Sequence, residues 1–219
     1  MRATSKLLAL ALAGALQPAV AGVVPVDFED LTSIVQLGDR YASKGISFSG
    51  DAWGMVSRFS PCTGAALFLR TGSCGGLLLA QQPTEEPGTG KSGFTLNFAG
   101  GFVTEFSFVY SALADSDVIV ELYGGRDGQG ALLGSANNLN AGNCATDGVQ
   151  FCDWNTGSLK FSGKAQSLRI TGFDQTLMLD DLSFITPTAG GGELPEPGGV
   201  ALALSALGAL GWARRRAAR

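Results

Sequence analysis

The segment FVTEFSFVY, residues 102–110, decides the fold class because its residues alternate in character. Side chains alternate between the two faces of a β-strand, so such a segment presents one aromatic face and one mixed face. The first face carries Phe102, Thr104, Phe106, Phe108 and Tyr110, and the second carries Val103, Glu105, Ser107 and Val109. The pattern predicts a strand with one face in a core and the other in a wetter environment.

The same alternation recurs elsewhere in the chain. Val118, Val120 and Leu122 alternate with Ile119, Glu121 and Tyr123, and Leu168 and Ile170 flank Arg169. Other runs rich in β-branched and aromatic residues, bounded by Gly, Asp or Asn, also predict strands. The predicted strands are 23–28, 45–49, 54–59, 66–70, 77–80, 93–98, 102–110, 117–123, 131–135, 158–161, 167–171 and 177–185.

No comparable stretch with helical periodicity occurs between Gly22 and Thr186, and the 32 glycines of the chain supply turns between short strands. We therefore predict an all-β fold, an antiparallel β-sandwich of jelly-roll type. The predicted domain, residues 22–186, is long enough to bury a single core.

The N-terminal residues have the pattern of a secretory signal peptide. Arg2 and Lys6 form a basic region, residues 7–16 are apolar, and Ala19-Val20-Ala21 fits a small-x-small cleavage site. The apolar run is shorter than a membrane span, which disfavours a retained anchor. We predict a signal peptide over residues 1–21 and export of the chain.

The C-terminal residues have the pattern of a membrane anchor. After Pro195-Glu196-Pro197, residues 198–212 carry no charge, and Arg214, Arg215 and Arg216 follow. The apolar part is shorter than the roughly 20 residues of a full span, so basic residues on the cytoplasmic side would help to hold it. The alternative is a buried amphipathic helix, but here the apolar residues occupy every face. Residues 187–194 read as a linker.

Together these ends resemble the substrates of the PEP-CTERM/exosortase system of Gram-negative bacteria. The residues that carry the resemblance are Pro195-Glu196-Pro197, the apolar helix and Arg214 to Arg216, in that order over residues 195–219. The resemblance implies that an exosortase-type membrane protease removes the tail after export. The product would reach the cell surface or the medium, where such proteins are associated with exopolysaccharide and biofilm.

Removal of both ends makes the chain strongly acidic. The whole chain has 15 Lys+Arg and 19 Asp+Glu. Six of the basic residues (Arg2, Lys6, Arg214, Arg215, Arg216 and Arg219) and none of the acids lie in the removed ends, residues 1–21 and 199–219, so the mature charge is 9 minus 19, or −10. Such a charge argues against nucleic acid or anionic lipid as a partner. The membrane would be contacted only through the C-terminal helix before processing.

A second resemblance concerns the predicted domain. The segments VDFEDL (26–31), KGISF (44–48) and LDDLSF (179–184) look like the first and last strands of carbohydrate-binding-module-like jelly rolls. In such folds these strands lie side by side, and their carboxylates can share a structural calcium ion. The candidate ligands are Asp27, Glu29, Asp180 and Asp181. Asp180 shares the parity of Leu182 and Phe184, and thus needs a partner in the core.

The alternative for these acids is that they cap strand ends and deter edge pairing, since the sequence has no contiguous calcium-loop pattern.

The cysteines predict disulfides rather than a metal site. Cys62, Cys74, Cys144 and Cys152 are an even set in an exported domain, and three pairings are open in principle. We favour Cys62–Cys74 and Cys144–Cys152 because each pair brackets one local loop. The chain has no histidine and no Cys-x-x-Cys, which argues against zinc.

The lack of histidine also restricts catalysis. Ser-His-Asp and Cys-His nucleophile systems cannot be assembled. A carboxylate-pair glycoside hydrolase is a remote alternative, with Glu105 and Glu121 as the candidate pair because we expect their strands to be adjacent. We predict that the protein is not an enzyme.

Two non-catalytic functions are compatible with these patterns. The first is a glycan- or exopolysaccharide-binding module in which Trp53, Tyr123 or Trp154 stacks on sugar rings. The second is a structural surface or biofilm protein without a ligand pocket, in which the tryptophans belong to the core. Trp154 follows Cys152-Asp153 in a polar segment, so we expect it to be the most exposed of the three.

Overall fold

The computed structural model describes residues 21–66, 68–83, 90–113, 116–137, 139 and 149–187. Residues Ala21–Pro187 form one compact unit. The signal peptide up to residue 20 and the sorting tail lie outside the described residues and stay predictions. Within the described part of the chain, no helix is long and apolar enough to span a membrane.

Among the residues that the structure describes, the domain has antiparallel strands and one 3₁₀ turn, Ala42–Lys44. The strands are β1 (Val23–Val26), β2 (Val35–Gln36), β3 (Ile46–Gly50), β4 (Ala52–Val56), β5 (Gly75–Leu79), β6 (Lys91–Ala112), β7 (Ile119–Tyr123), β8 (Leu132–Asn137), β9 (Asn155–Phe173) and β10 (Leu177–Ile185).

Two long strands, β6 and β9, pair with each other and belong to both layers of the sandwich. The first half of β6 pairs with β3, and the second half of β9 pairs with β7, which pairs with β8. These strands form layer A. The second half of β6 pairs with β10, which continues through β5 and β4 to β2 and also pairs with β1. These strands, with the first half of β9, form layer B.

The bend between the layers lies where the register of β6 and β9 shifts. The shifts fall between Asn97 and Phe102 and between Val103 and Glu105, and extra residues bulge first from one strand and then from the other. Gly101 has φ 66° and Gly163 has φ 91° at these points, a left-handed conformation that glycine adopts without strain. The predicted strands 93–98 and 102–110 are therefore parts of one strand, as are 158–161 and 167–171.

The space between the layers is filled by the residues that the alternation predicted. Phe102, Phe106 and Phe108 are buried, while Val103, Glu105, Ser107 and Val109 are partly exposed. Thr104 is the exception on the aromatic face, because it lies at the bulge with φ 65° and is exposed. Phe184 packs against Phe102 and Phe106, with ring centroids 5.2 and 5.1 Å away. The prediction of an all-β antiparallel sandwich is confirmed.

The first and last strands lie side by side, as the second resemblance implied. β1 pairs with β10 in a register that sets Val23 opposite Ile185 and Val26 opposite Leu182. Val26 and Phe28 are buried, and Asp27 and Glu29 are exposed.

A second hydrophobic cluster covers the outer face of layer B. Met55 on β4, Leu78 on β5 and Met178 on β10 face away from the main core and are nevertheless buried. Phe68 and Phe151 pack on them from two covering segments, the first between β4 and β5 and the second directly before β9. This cover explains why LLLA and LML, residues 77–80 and 177–179, are apolar without alternation.

The predicted strand Ala66–Arg70 is wrong. Ala66, Phe68 and Arg70 form only isolated bridges, to Ser57, Phe151 and Ser73. Ala66 and Phe68 are buried on the outer face of layer B, whereas Leu69 is exposed. The segment therefore resembles a strand in composition, although it does not add a strand to the sheet.

Candidate functional site

One of the two segments that cover layer B is a loop closed by a disulfide bond. Cys62 is bonded to Cys74, as the sequence predicted. We call residues 57–74 the disulfide loop, of which residue 67 is not described. The backbone N–H of Leu69 donates to the carbonyl of Phe151 at 2.8 Å, which joins this loop to the second covering segment.

Trp154 lies where the two covering segments meet. Its Nε1–H donates to the carbonyl oxygen of Leu69 at 2.9 Å, and its ring packs edge-on against Phe68, with centroids 6.2 Å apart. The guanidinium carbon of Arg70 lies 5.5 Å from the centre of the Trp154 ring. The indole is thus half-buried as part of the cover, and its polar group already has a partner.

Arg70 bridges two carboxylates of the last strand. Its Nη1 donates to Asp180 and its Nη2 donates to Asp181. The Asp180 side chain is fully buried, that of Arg70 is 18% exposed and that of Asp181 is 49% exposed. Burial alone would lower the pKa of Arg70, but hydrogen bonds and charge from Asp181 and Asp180 raise it above its ordinary value.

Asp180 is buried under the disulfide loop rather than in the main core. Leu179 and Leu182 both face the main core, because a bulge between Asp180 and Ser183, with φ 46° at Asp181, changes the parity of β10. The expectation that Asp180 shares a face with Leu182 is therefore wrong. Burial raises the pKa of Asp180 to about 6, although Ser73 and Arg70 oppose the shift.

Glu29 joins the first strand to the same group of residues. Its carboxylate accepts hydrogen bonds from the backbone N–H of Cys74 at 3.1 Å and of Gly75 at 3.2 Å. The Ser73 hydroxyl lies 2.5 Å from Glu29 Oε1 and 2.8 Å from Asp180 Oδ2. We call Glu29, Arg70, Ser73, Asp180 and Asp181 the Arg70 clasp.

A glycine allows this close approach. A Cβ atom at Gly75 would lie 2.1 Å from the carbonyl oxygen of Phe28, so no other residue fits there without a shift of the backbone. Phe28 has φ 58°, which turns the chain directly before Glu29.

The arrangement of donors does not suit a calcium ion. Asp180 Oδ1 accepts the backbone N–H of Asp181, and Asp180 Oδ2 accepts from Arg70 and Ser73. Asp27 accepts a hydrogen bond from the Glu29 backbone N–H at 3.4 Å. No group of three or more metal-ligating side chains occurs among the described residues. Calcium binding stays a prediction, which this geometry does not support.

The second predicted disulfide, Cys144–Cys152, involves a residue outside those described. Cys144 lies in the undescribed segment 140–148. This pairing stays a prediction.

The outer face of layer A carries a polar groove instead of a cover. It lies over the ends of β3, β6 and β9 and has a volume of about 250 Å³. The groove is lined by Ser49, Gly50, Gly93, Phe94, Thr95, Asp127, Gly128, Gln129 and Arg169. In the register of the sheet, Ser49, Thr95 and Arg169 are direct neighbours across three strands.

One wall of the groove is the loop between β7 and β8, residues 124–131, which folds back onto the sheet. Asn97 donates from Nδ2 to Asp127 Oδ1 at 2.6 Å and accepts from the Asp127 backbone N–H at 2.8 Å. The Ser167 hydroxyl donates to the Gly125 carbonyl at 2.6 Å and accepts from the Gly128 N–H at 3.0 Å. Both anchoring side chains are buried, so the loop is held by satisfied hydrogen bonds.

Tyr123 and Glu121 lie on β7, beside the strand of Arg169. The Tyr123 hydroxyl donates to Glu121 Oε2 at 3.0 Å, and Glu121 is paired with Arg169 in the register of β7 and β9. Burial and the Glu121 carboxylate raise the pKa of Tyr123. The row Thr95, Arg169 and Glu121 therefore presents hydroxyl, guanidinium and carboxylate groups on one face.

The predicted aromatic ligand residues lie on different layers. Trp53 and Trp154 both pack on the second cluster of layer B, and Tyr123 lies on layer A. Trp53 Nε1 is buried and has no hydrogen-bond partner among the described residues. No assembled aromatic platform results from these three residues.

Glu105 and Glu121 do not form a pair of adjacent carboxylates. Glu105 lies on β6 opposite Lys160 of β9, whereas Glu121 lies on β7 opposite Arg169 of β9. β6 and β7 are separated by β9 in the sheet, so the expectation that these strands are adjacent is wrong.

Sequence reasoning missed Arg70, Ser73, Asn97 and Arg169. Arg70 and Ser73 flank Thr71-Gly72, a turn next to a cysteine, and Asp127-Gly128 marks the tip of the groove loop. These signals indicate turns. The partners across the fold follow only from strand pairing.

No family model and no curated protein sequence matches this chain. Among solved structures it is similar to the K1 cleaved adhesin domain of Lys-gingipain from Porphyromonas gingivalis W83, with 12% identity, TM-score 0.46, 76% of this chain and 99% of that chain covered. It is also similar to the C-terminal family 6 carbohydrate-binding module of LamC, a laminarinase from Zobellia galactanivorans (10% identity, TM-score 0.37, 76% and 100% covered).

A third similar structure is the carbohydrate-binding module of lichenase 5A from Cellvibrio mixtus in complex with cellotriose (9% identity, TM-score 0.33, 75% and 97% covered). The structural neighbours are thus adhesin domains and carbohydrate-binding modules. Similarity at this level carries no argument about the function of this chain.

Proposed function

We propose that the domain is a non-catalytic module that binds an uncharged, hydroxyl-rich polysaccharide in the groove of layer A. The observation that carries the proposal is the set of polar groups that converge there. Arg169 supplies donors, Asp127 supplies acceptors, and Gln129, Ser49 and Thr95 supply both. Sugar hydroxyls both donate and accept, so a mixed set of this kind suits them better than an apolar pocket would.

The shape of the groove supports a chain-like ligand. It is open to solvent over the sheet, and it is lined in part by Gly50, Gly93 and Gly128, which have no side chain to block it. Asn97 and Ser167 hold the wall in place before any ligand arrives, so little ordering would oppose binding. The acidic charge of the mature chain, −10 by the arithmetic above, disfavours a polyanionic ligand.

Catalysis is not part of this proposal. The chain has no histidine, and the carboxylates considered for hydrolysis, Glu105 and Glu121, lie on strands separated by β9. The Asp127 side chain is engaged with Asn97 in holding the loop. The groove therefore supports recognition rather than bond cleavage.

The test is binding of the domain, residues 22–187, to polysaccharides. This segment contains both hydrophobic clusters, so it has the core needed to fold by itself. A glycan array followed by titration calorimetry should identify a neutral glycan whose affinity falls at least about tenfold in Arg169→Ala and in Gln129→Ala, as expected for the loss of one or two hydrogen bonds.

Arg126→Ala is the matched control, because Arg126 is exposed on the same loop but does not line the groove. Binding that is lost in Trp154→Ala and kept in Arg169→Ala would place the site on layer B and contradict the proposal. If no glycan on the array binds, the alternative of a structural surface protein is favoured. The packing of Trp53 and Trp154 on the second cluster is compatible with that alternative.

We further propose that the protein reaches its site of action as an exosortase substrate. The support is the order of Pro195-Glu196-Pro197, the uncharged segment and Arg214 to Arg216 in the sequence. Intact-mass analysis of the surface and medium fractions should find a product that begins near Gly22 and lacks residues 199–219. An exported protein with its full C terminus would contradict this proposal.

A further inference from the structure

The Arg70 clasp joins three parts of the chain that are distant in sequence. Glu29 follows the first strand, Arg70 and Ser73 belong to the disulfide loop, and Asp180 and Asp181 lie on the last strand. Arg70 and Asp180 are 110 positions apart, and Ser73 and Glu29 are 44 apart. The clasp therefore fastens the disulfide loop to the place where the chain of the domain begins and ends.

We propose that the Arg70 guanidinium is the resident cation of this clasp, in place of a divalent metal, and that the domain is closed without calcium. Its planar fork donates to two neighbouring carboxylates, a geometry that a point charge does not reproduce. The position between Asp180 and Asp181 is thus already filled by a cation that belongs to the chain.

The use of the carboxylate oxygens supports this inference. Glu29 accepts from the backbone N–H groups of Cys74 and Gly75, and Asp180 accepts from the Asp181 N–H and from Arg70. The single hydroxyl proton of Ser73 lies within hydrogen-bond distance of both carboxylates. A calcium ion at this place would need six to eight oxygen ligands and would have to displace these donors. The Arg70 guanidinium, which is 18% exposed, instead satisfies Asp180 with no such change.

The clasp should respond asymmetrically to the loss of its two charges. Removal of Arg70 leaves the fully buried Asp180 without its countercharge, whereas replacement of Asp180 by Asn leaves Arg70 with Asp181 and partial contact with solvent. If the ion pair were exposed at the surface, neither substitution would change the stability of the domain much.

The first experiment compares Arg70→Met with Arg40→Met in the domain of residues 22–187. Arg40 forms an ion pair with Asp30 at 3.2 Å, in which the side chains are 36% and 54% exposed, so it is a matched surface control. Arg70→Met should lower Tm by about 10 °C and Arg40→Met by at most about 3 °C. Arg70→Lys, which keeps the charge without the fork, should fall between wild type and Arg70→Met.

A double variant tests the charge directly. Arg70→Met with Asp180→Asn should melt at a higher temperature than Arg70→Met alone, because the uncompensated buried carboxylate is removed. Equal losses in Arg70→Met and Arg40→Met, or strictly additive losses in the double variant, would overturn the proposal.

Calcium provides a readout that does not depend on any variant folding. Melting of the wild-type domain should occur at the same temperature in millimolar Ca²⁺ and in chelator, because a ligand stabilises only if it binds the folded state. A rise of several degrees in Ca²⁺ that Asp181→Ala abolishes would show that the acids bind the metal, and the proposal would be wrong. If the domain binds no glycan while its melting temperature is the same in Ca²⁺ and in chelator, the proposed function of the groove is contradicted and the proposal for the Arg70 clasp is not.

Discussion

The two outer faces of the sandwich differ in how they are covered. On layer B, Met55, Leu78 and Met178 point outward and are buried by the disulfide loop. On layer A, Thr95 and Arg169 point outward and line an open groove. Both faces belong to antiparallel sheets built on the same two long strands, β6 and β9.

This difference separates stability from recognition within one small domain. A sheet face with apolar residues requires a cover, and that cover must be fastened, here by the Cys62–Cys74 bond and the Arg70 clasp. A face with polar residues needs no cover and stays accessible to a ligand. We therefore expect substitutions on layer B to change the free energy of unfolding and those on layer A to change mainly binding.

The largest effect is expected for Phe68→Ala, set against Thr95→Ala. Phe68 is fully buried in the second cluster, so its truncation should lower the free energy of unfolding by about 3–5 kcal/mol. Thr95 is partly exposed on the groove face, and its truncation should change the free energy of unfolding by at most about 0.5 kcal/mol. Urea denaturation measures both. Similar losses in the two variants would show that the two faces do not differ as described.

The disulfide bond should have the next largest effect. Cys62 and Cys74 are 12 positions apart, and closing a loop of this size is worth about 3 kcal/mol in the chain-entropy model. The double variant Cys62→Ser/Cys74→Ser should unfold at lower urea concentration and be cut sooner by protease between residues 57 and 74. Its far-UV circular dichroism should match that of wild type, since the sandwich itself is not changed.

The buried carboxylate of the clasp should make stability depend on pH. The pKa of Asp180 is raised by burial from 3.8 to about 6, so between these values the folded state binds its proton more tightly than the unfolded chain does. The contribution of this group is present at low pH and is lost as pH rises from about 4 to about 6, by roughly 2–3 kcal/mol.

The difference in free energy of unfolding between wild type and Asp180→Asn isolates this contribution, because all other acids are common to both. A difference that is constant from pH 4 to pH 7 would mean that Asp180 titrates normally in the folded domain. Burial alone would raise the pKa of Asp30, but Tyr41 and Arg40 lower it below its ordinary value. This group is present in both proteins and contributes equally to both.

The smallest effect is expected at the wall of the groove. Asn97→Ala removes both hydrogen bonds to Asp127, and a buried hydrogen bond contributes about 1 kcal/mol. Amide hydrogen exchange should accelerate in residues 124–131 and stay unchanged in residues 57–74. Faster exchange in both loops would show that the two faces are coupled.

Alternation in the sequence was sufficient to predict the fold class and most of the main core. Phe106, Val120 and Ile170 are buried as predicted, because the period of a strand depends only on local backbone geometry. The pairing of the first and last strands and the Cys62–Cys74 bond also agree with prediction. The strand pairing was expected from the resemblance of short terminal motifs, and the disulfide bond from the short loop that the two cysteines bracket.

The tertiary structure alone decided which face of each strand is outermost and what covers it. The segment 66–70 has the composition of a strand but serves as a cover, and the bulge at Asp181 places Asp180 under that cover. The partner of Asp180 is Arg70, 110 positions away, and that of Asp127 is Asn97 on another strand. Side-chain pairs of this kind depend on strand register and on bulges. Register and bulges are determined by the free energy of pairing and packing over the whole sheet, so no local sequence pattern predicts these pairs.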